Sequence, residues 1–176
     1  MILMFLMLFS TETSVDSGII ENRPPQIHPL EAGLDKKKAA VAIQIEQVLI
    51  DKGICSRLAR AATVNAIAES NLDPNAVGDH GKSVGVFQLH ENGMGKNMSI
   101  SDRKDVSISA TKVANAMLKD KTMMLLQKRC APIDDMIRHF TTHIMRPSNK
   151  ITKSKQRVIL GKKKIPNAMK VMCLTS

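Results

Sequence analysis

Two stretches of helical period, split by one glycine and followed by a long aperiodic run, hold this chain to a mainly helical fold with one irregular insertion. Between Lys36 and Lys52 the apolar residues Val41, Ile45, Val48 and Leu49 recur on one helix face, and Gly53 stops the last turn. A second helix is predicted from Ser56, read as its N-cap, to Ser70, where Asp73-Pro74 prevents continuation. Residues 74 to 107 hold five of the nine glycines, Gly78, Gly81, Gly85, Gly93 and Gly95, and keep no period. Loops are expected there, with a short helix around Val86 to His90 and a small hairpin; such a region is where a cleft is lined. Helical spacing returns from Ile108 to Lys128, closed by Pro132, then from Ile133 to Ile144, closed by Arg146-Pro147, and last from Lys153 to Leu160. At 176 residues this makes one domain with a core, over 36 to 176, behind an N-terminal segment 1 to 35.

The residues before Lys36 do not pattern like the rest. Met1 to Phe9 are apolar, but a membrane-spanning helix needs about 20 such residues, so no membrane span is expected. The stretch has the length of a secretory apolar segment, without a preceding Lys or Arg and without a small-residue cleavage site after it, so it is a weak candidate export signal. The Pro24-Pro25 and Pro29 cluster reads as an extended linker.

Charge and composition narrow the partners. Lys and Arg outnumber Asp and Glu by 26 to 16, and the net charge of +10 favours polyanions: nucleic acid, anionic lipid or anionic cell wall. Much of the excess follows residue 146, in Lys150, Lys153, Lys155, Arg157 and Lys162 to Lys164, where a solvated helix face is the favoured account. Four Phe, no Tyr and no Trp leave few rings on which sugars or bases stack, which counts against carbohydrate and nucleic-acid binding alike. Cys55, Cys130 and Cys173 have no zinc spacing and, being odd in number, allow one bridge at most; they are read by default as buried free thiols. His80 and His90 flank Asp79 and Glu91 without matching a ligand motif, and His139 and His143, four apart on one helix face, have a metal-compatible spacing but are only two ligands; neither metal nor cofactor is expected.

One carboxylate stands out. On the second helix Leu58, Ala62, Asn65, Ala66 and Glu69 fall at offsets of 0, 4, 7, 8 and 11, so Glu69 shares a face with small apolar residues. It also occupies the last turn, where the negative end of the helix dipole and poor hydration disfavour ionisation, as a general acid requires. Helix geometry alone leaves it a second option, reaching around to water or pairing with Arg60 or Lys82.

The residues around it decide between these. Glu69-Ser70-Asn71-Leu72-Asp73-Pro74-Asn75-Ala76-Val77 is followed by Gly81, Ser83 and Gly85-Val86-Phe87-Gln88-Leu89. This resembles the lysozyme-like superfamily, in particular soluble lytic transglycosylases and phage virion-associated muramidases. There a Glu-Ser pair ends a helix, a Pro-Asn-Ala-Val loop follows, and Gly-apolar-apolar-Gln-apolar comes about sixteen residues on. A later segment, Phe140-Thr141-Thr142-His143-Ile144-Met145-Arg146-Pro147, resembles a Phe-Thr…Glu-Arg-Pro stretch of some phage members, with Met145 at the acidic position. The likeness runs over about residues 36 to 160.

The resemblance implies a mainly α, lysozyme-like fold with minimal β and a catalytic cleft. It implies cleavage of the bond between N-acetylmuramic acid and N-acetylglucosamine in bacterial peptidoglycan, with Glu69 as acid and then base. Ser70, Ser83, Gln88 and His90 become the substrate-binding candidates, with Ser83 and Gly85 letting the chain approach the sugar, and Phe87 is assigned to the core. A phage virion, with other virion proteins as partners, or the cell envelope after secretion would be its place. The late tyrosine motif of many transglycosylases has no counterpart in this chain. Ordinary glycosidases use two carboxyls, roughly 5 to 9.5 Å apart depending on stereochemistry. Asp79, Glu91, Asp102 and Asp105 are the candidates for a second, whereas a lytic transglycosylase would need Glu69 alone. The competing reading is a non-catalytic basic protein, a virion component with this fold or a nucleic-acid binder using its Lys-rich end; no reading motif supports the latter.

Overall fold

A computed structural model describes residues 33 to 145. It is mainly helical, with six α-helices and a small three-stranded antiparallel sheet. Helices α1 (Lys36–Asp51) and α2 (Ser56–Ser70) come first, then strands β1 (Val77–Gly78), β2 (Ser83–Val84) and β3 (Leu89–His90), then α3 (Ile100–Lys104), α4 (Val106–Lys119), α5 (Lys121–Lys128) and α6 (Ile133–His139). A π-helical segment, Phe140–Met145, continues α6.

Helix α2 is the hub. All ten residues from Leu58 to Ile67 are buried, as in a helix packed on every side. Helix α1 lies against it, α6 packs on it, and α4 packs on α1. The four buried alanines Ala59, Ala61, Ala62 and Ala66 let these neighbours approach closely. Larger side chains fill the space between: Ile45, Leu49, Leu58, Met117, Met123, Met136, Ile137, Phe87 and Phe140 are fully buried, each worth roughly 1.5–3 kcal/mol of transfer free energy. With Phe87 and Phe140 as the only large rings among the described residues, the methionines take the gap-filling role.

Polar side chains clamp the helix ends. The Asp35 carboxylate caps α1 by accepting the Lys38 N–H at 2.9 Å, which holds its own carboxyl below the ordinary value. Gln127 on α5 donates to the Gly53 carbonyl and accepts from the Cys55 N–H, closing the α1–α2 turn. Arg57 donates to the carbonyls of Cys130 and Ala131, tying α2 to the turn before α6.

One charge pair lies in this core. Glu46 of α1 and Arg60 of α2 are 2% and 3% exposed, with Oε2 and Nε 2.8 Å apart. Burial outweighs the Arg60 charge and the Thr63 hydroxyl, and pushes the Glu46 carboxyl up to about 8.

Several expectations need correction. The helix expected over 108 to 128 breaks at Asp120, whose extended backbone lets its carboxylate cap the Met123 N–H at 2.7 Å and meet His139 Nε2 at 2.9 Å. An Asp offered such bonds competes with helix continuation. Burial opposes ionisation there, but the Met123 N–H and His139 together hold the Asp120 carboxyl below its ordinary value. The helix expected to run to Ile144 is α-helical only to His139. No helix forms over Val86 to His90; left-handed backbone at Gly85 and Gln88 turns the chain into β3 instead. The N-cap of α2 is Cys55, not Ser56. Cys55 is half-buried, and Cys130 is disulfide-bonded, so the free-thiol reading fails for Cys130. The helix expected over 153 to 160 and the Lys-rich end lie outside the described residues. Among the described residues no helix is long and apolar enough to cross a membrane.

Candidate active site at the end of helix α2

The last turn of α2 leaves the core. Ile67 is the final residue of the buried run, Ala68 is exposed, and Glu69 and Ser70 are half-buried. Asn71 then takes a left-handed conformation, its N–H returning to the Ile67 carbonyl at 2.8 Å as a C-cap. Leu72 is left-handed too, at φ 62°, and is held there by burial of its side chain. Two successive non-glycine residues in this region are unfavourable, and such backbone concentrates at functional sites. The Asp73 carboxylate accepts the Asn75 N–H at 2.8 Å, an Asx-turn that sends the chain into β1.

Ser70 joins the two motif blocks. Its hydroxyl lies 2.9 Å from the Val86 carbonyl and 3.2 Å from the Ala66 carbonyl one turn back. The residue beside Glu69 is thereby fastened to the Gly85–Leu89 segment, sixteen residues further along. Gln88 fixes that segment from the other side. Its backbone is left-handed, and its Nε2 donates to the carbonyls of Ala76 at 3.1 Å and Gly85 at 3.0 Å. A Cβ on Gly78 would fall 2.5 Å from Gln88 Oε1, so the glycine in β1 makes room for this amide.

The sheet carries the remaining candidates. Val77 pairs with Val84, Gly78 with Ser83, Ser83 with His90 and Val84 with Leu89. Ser83 is buried and its hydroxyl donates to Asp79, which braces the β1–β2 turn. His90 is half-buried, and its Nδ1 accepts the Asn92 N–H at 3.1 Å. Gly85 does make a close backbone approach, but to another part of the chain: a Cβ there would sit 1.9 Å from the Arg103 carbonyl oxygen. Phe87 is fully buried, as expected.

Arg103 is the structural residue that sequence reading missed. It is 4% exposed, and its guanidinium donates to the carbonyls of Lys82 at 2.8 Å and Leu89 at 3.1 Å, holding the hairpin on α3. In the sequence it sits within Ser-Asp-Arg-Lys-Asp, which reads as solvated surface. Gly95, where a Cβ would press on the Arg103 side chain, and Gly85 were the traces of its seat.

The four candidates for a second carboxylate have distinct positions. Asp79 accepts the Ser83 hydroxyl, and Asp102 forms a capping box with Ser99, whose hydroxyl and N–H hold the Asp102 carboxyl below its ordinary value. Asp105 caps α4 by accepting the Ile108 N–H at 2.8 Å. Glu91 is exposed just beyond β3. Arg60, a possible partner for Glu69 on sequence grounds, is engaged by Glu46. His139 and His143 stack with ring centroids 4.3 Å apart, and among the described residues no three His, Cys, Asp or Glu side chains form a metal-binding group.

No known protein family matches this chain, and neither a curated protein nor a solved structure matches it.

Proposed function

We propose that this protein cleaves the glycan strand of bacterial peptidoglycan between N-acetylmuramic acid and N-acetylglucosamine, on a lysozyme-like domain with Glu69 as the acid. The observation that carries the reading is the hydrogen bond from Ser70 to the Val86 carbonyl. It brings the Glu-Ser block and the Gly-apolar-apolar-Gln block together at the one place where the buried central helix ends in a half-buried carboxylic acid. A carboxyl fixed at a helix end beside a hairpin braced by Gln88 and Arg103 has the rigid setting that proton transfer to a substrate oxygen requires.

Of the two outcomes, transglycosylation is the better supported. Asp79, Asp102 and Asp105 are engaged in hydrogen bonds that hold the hairpin or cap helices, which leaves Glu91 as the remaining candidate for a paired mechanism. In the one-carboxylate route Glu69 gives its proton to the glycosidic oxygen as the bond to the muramic carbon breaks. It then takes a proton from the substrate hydroxyl that attacks that carbon, so an anhydro-sugar leaves and Glu69 ends as it began.

The test is mass spectrometry of the fragments released from purified peptidoglycan by the protein and by Glu69→Gln. Anhydro-muropeptides from the wild type alone are expected. Reducing-end muropeptides would make the enzyme a muramidase with Glu91 as the first residue to substitute. No release by either protein, with binding to cell wall or DNA retained, would replace catalysis with the binding role.

A further inference from the structure

A buried polar pair lies one turn below Glu69 and has no place in the mechanism so far. Asn65 on α2 and Thr141 in the π-helical segment are both fully buried. The Thr141 hydroxyl reaches Asn65 Oδ1 only at 3.5 Å, the long limit of a hydrogen bond, and Asn65 Nδ2 has no hydrogen-bond partner. A buried amide left half-satisfied is costly, and each such group calls for an explanation. The other buried residues on its face, Leu58, Ala62 and Ala66, are apolar, so a leucine at 65 would suit the packing better.

Two observations indicate what the amide serves. Asn65 precedes Glu69 by four residues on the same helix, and side chains at i and i+4 share a face and lean toward the N-terminus, which puts Asn65 within reach of a Glu69 carboxyl turned back along the helix. Thr141 comes to Asn65 through a π-helical winding, a rare geometry that is frequent at functional sites. The wider turn begins where α6 stops, and the second residue in it is the one that meets Asn65.

Resting on the reading of Glu69 as the acid, we propose that Asn65 is a positioning residue for it. When the carboxyl turns inward for the reaction, the Asn65 amide donates to it and sets its rotamer, with Thr141 holding the amide from the opposite side. Catalytic hydrogen bonds often tighten only in the working complex, which accounts for the unpaired Asn65 amide.

The experiment compares wild type, Glu69→Gln, Asn65→Leu and Thr141→Val for thermal stability and for kcat and KM of fragment release from purified peptidoglycan. Asn65→Leu is expected to keep its melting temperature while kcat falls roughly tenfold to a hundredfold and KM stays within about twofold. Thr141→Val, nearly the same shape, is expected to lose about threefold to tenfold in kcat alone. If Asn65→Leu does not fold, the Thr141→Val measurement decides in the same way. Active wild type, inactive Glu69→Gln and full kcat in both other variants would overturn the positioning role and leave the acid assignment standing. Inactive wild type, or active Glu69→Gln, would overturn the acid assignment and the positioning role with it.

Discussion

The two ends of helix α2 are held by different forces. From Leu58 to Ile67 the helix is enclosed by α1, α6 and apolar contact, with the ion pair between Arg60 and Glu46 inside it. From Glu69 onward the chain is held by directed hydrogen bonds: Ser70 to Val86, Gln88 to Ala76 and Gly85, Arg103 to Lys82 and Leu89. Apolar packing tolerates shape-conserving change, whereas a hydrogen-bonded turn with left-handed residues at Asn71, Leu72, Gly85 and Gln88 does not. The two carboxylates on these elements differ accordingly. Glu46 sits where its charge is penalised and serves the core; Glu69 sits at the edge, half-buried, outside the run that packs on every side.

The sharpest way to break the contrast is to remove a core charge. Arg60→Ala leaves Glu46 buried without its counter-ion and is expected to cost about 3–5 kcal/mol above pH 8, read by urea unfolding. The pH dependence carries the same signature. Because the folded Glu46 carboxyl is raised from 4.5 to about 8, the folded state binds the extra proton, and stability present below pH 4.5 is lost as pH rises toward 8. Melting temperatures from pH 4.5 to 9 are expected to decline in the wild type and to flatten in Glu46→Gln. The lowered carboxyls of Asp35, Asp102 and Asp120 act below their ordinary value of 3.8 and leave that window clear.

Next in size is Gly85→Ala, where the new Cβ meets the Arg103 carbonyl at a backbone φ of +83°. About 2–4 kcal/mol is expected, with fragment release lost even at temperatures where the helices persist by circular dichroism. Ser70→Ala is expected to cost about 1–2 kcal/mol while lowering turnover by more than the loss of folded protein explains, because it unfastens Glu69 from the hairpin. The smallest effect is Ser99→Ala, which removes the α3 cap; about 1 kcal/mol is expected, measured by thermal melting.

The same division governs how much could be read from residues alone. Helices α1 and α2 follow from the spacing of Ile45, Leu49, Leu58 and Ala62 and from Gly53, since burial of a face imposes a period. Glu69 stood out because a carboxylate on that face is unusual, and Ser70 and Gln88 because their spacing from it resembles the lysozyme-like pattern; the bond from Ser70 to Val86 that joins the two blocks was not visible in the sequence. The break at Asp120 was not, because it depends on His139 arriving from α6 to share the capping carboxylate. Arg103 was hidden for a related reason: a charged residue in a polar run looks solvated until the carbonyls of Lys82 and Leu89 are brought over it. Asn65 and Thr141 lie 76 residues apart, and nothing in a helical period joins them.

The most direct measurement is the rate at which soluble fragments leave purified peptidoglycan under wild type and Glu69→Gln, at equal concentration and with both shown folded by circular dichroism. A loss of at least about a hundredfold in Glu69→Gln with an unchanged melting temperature is the expected result, since general acid catalysis contributes about 10²–10⁴-fold. Equal rates from the two proteins, or no release by a folded wild type, would contradict the assignment of Glu69 as the acid.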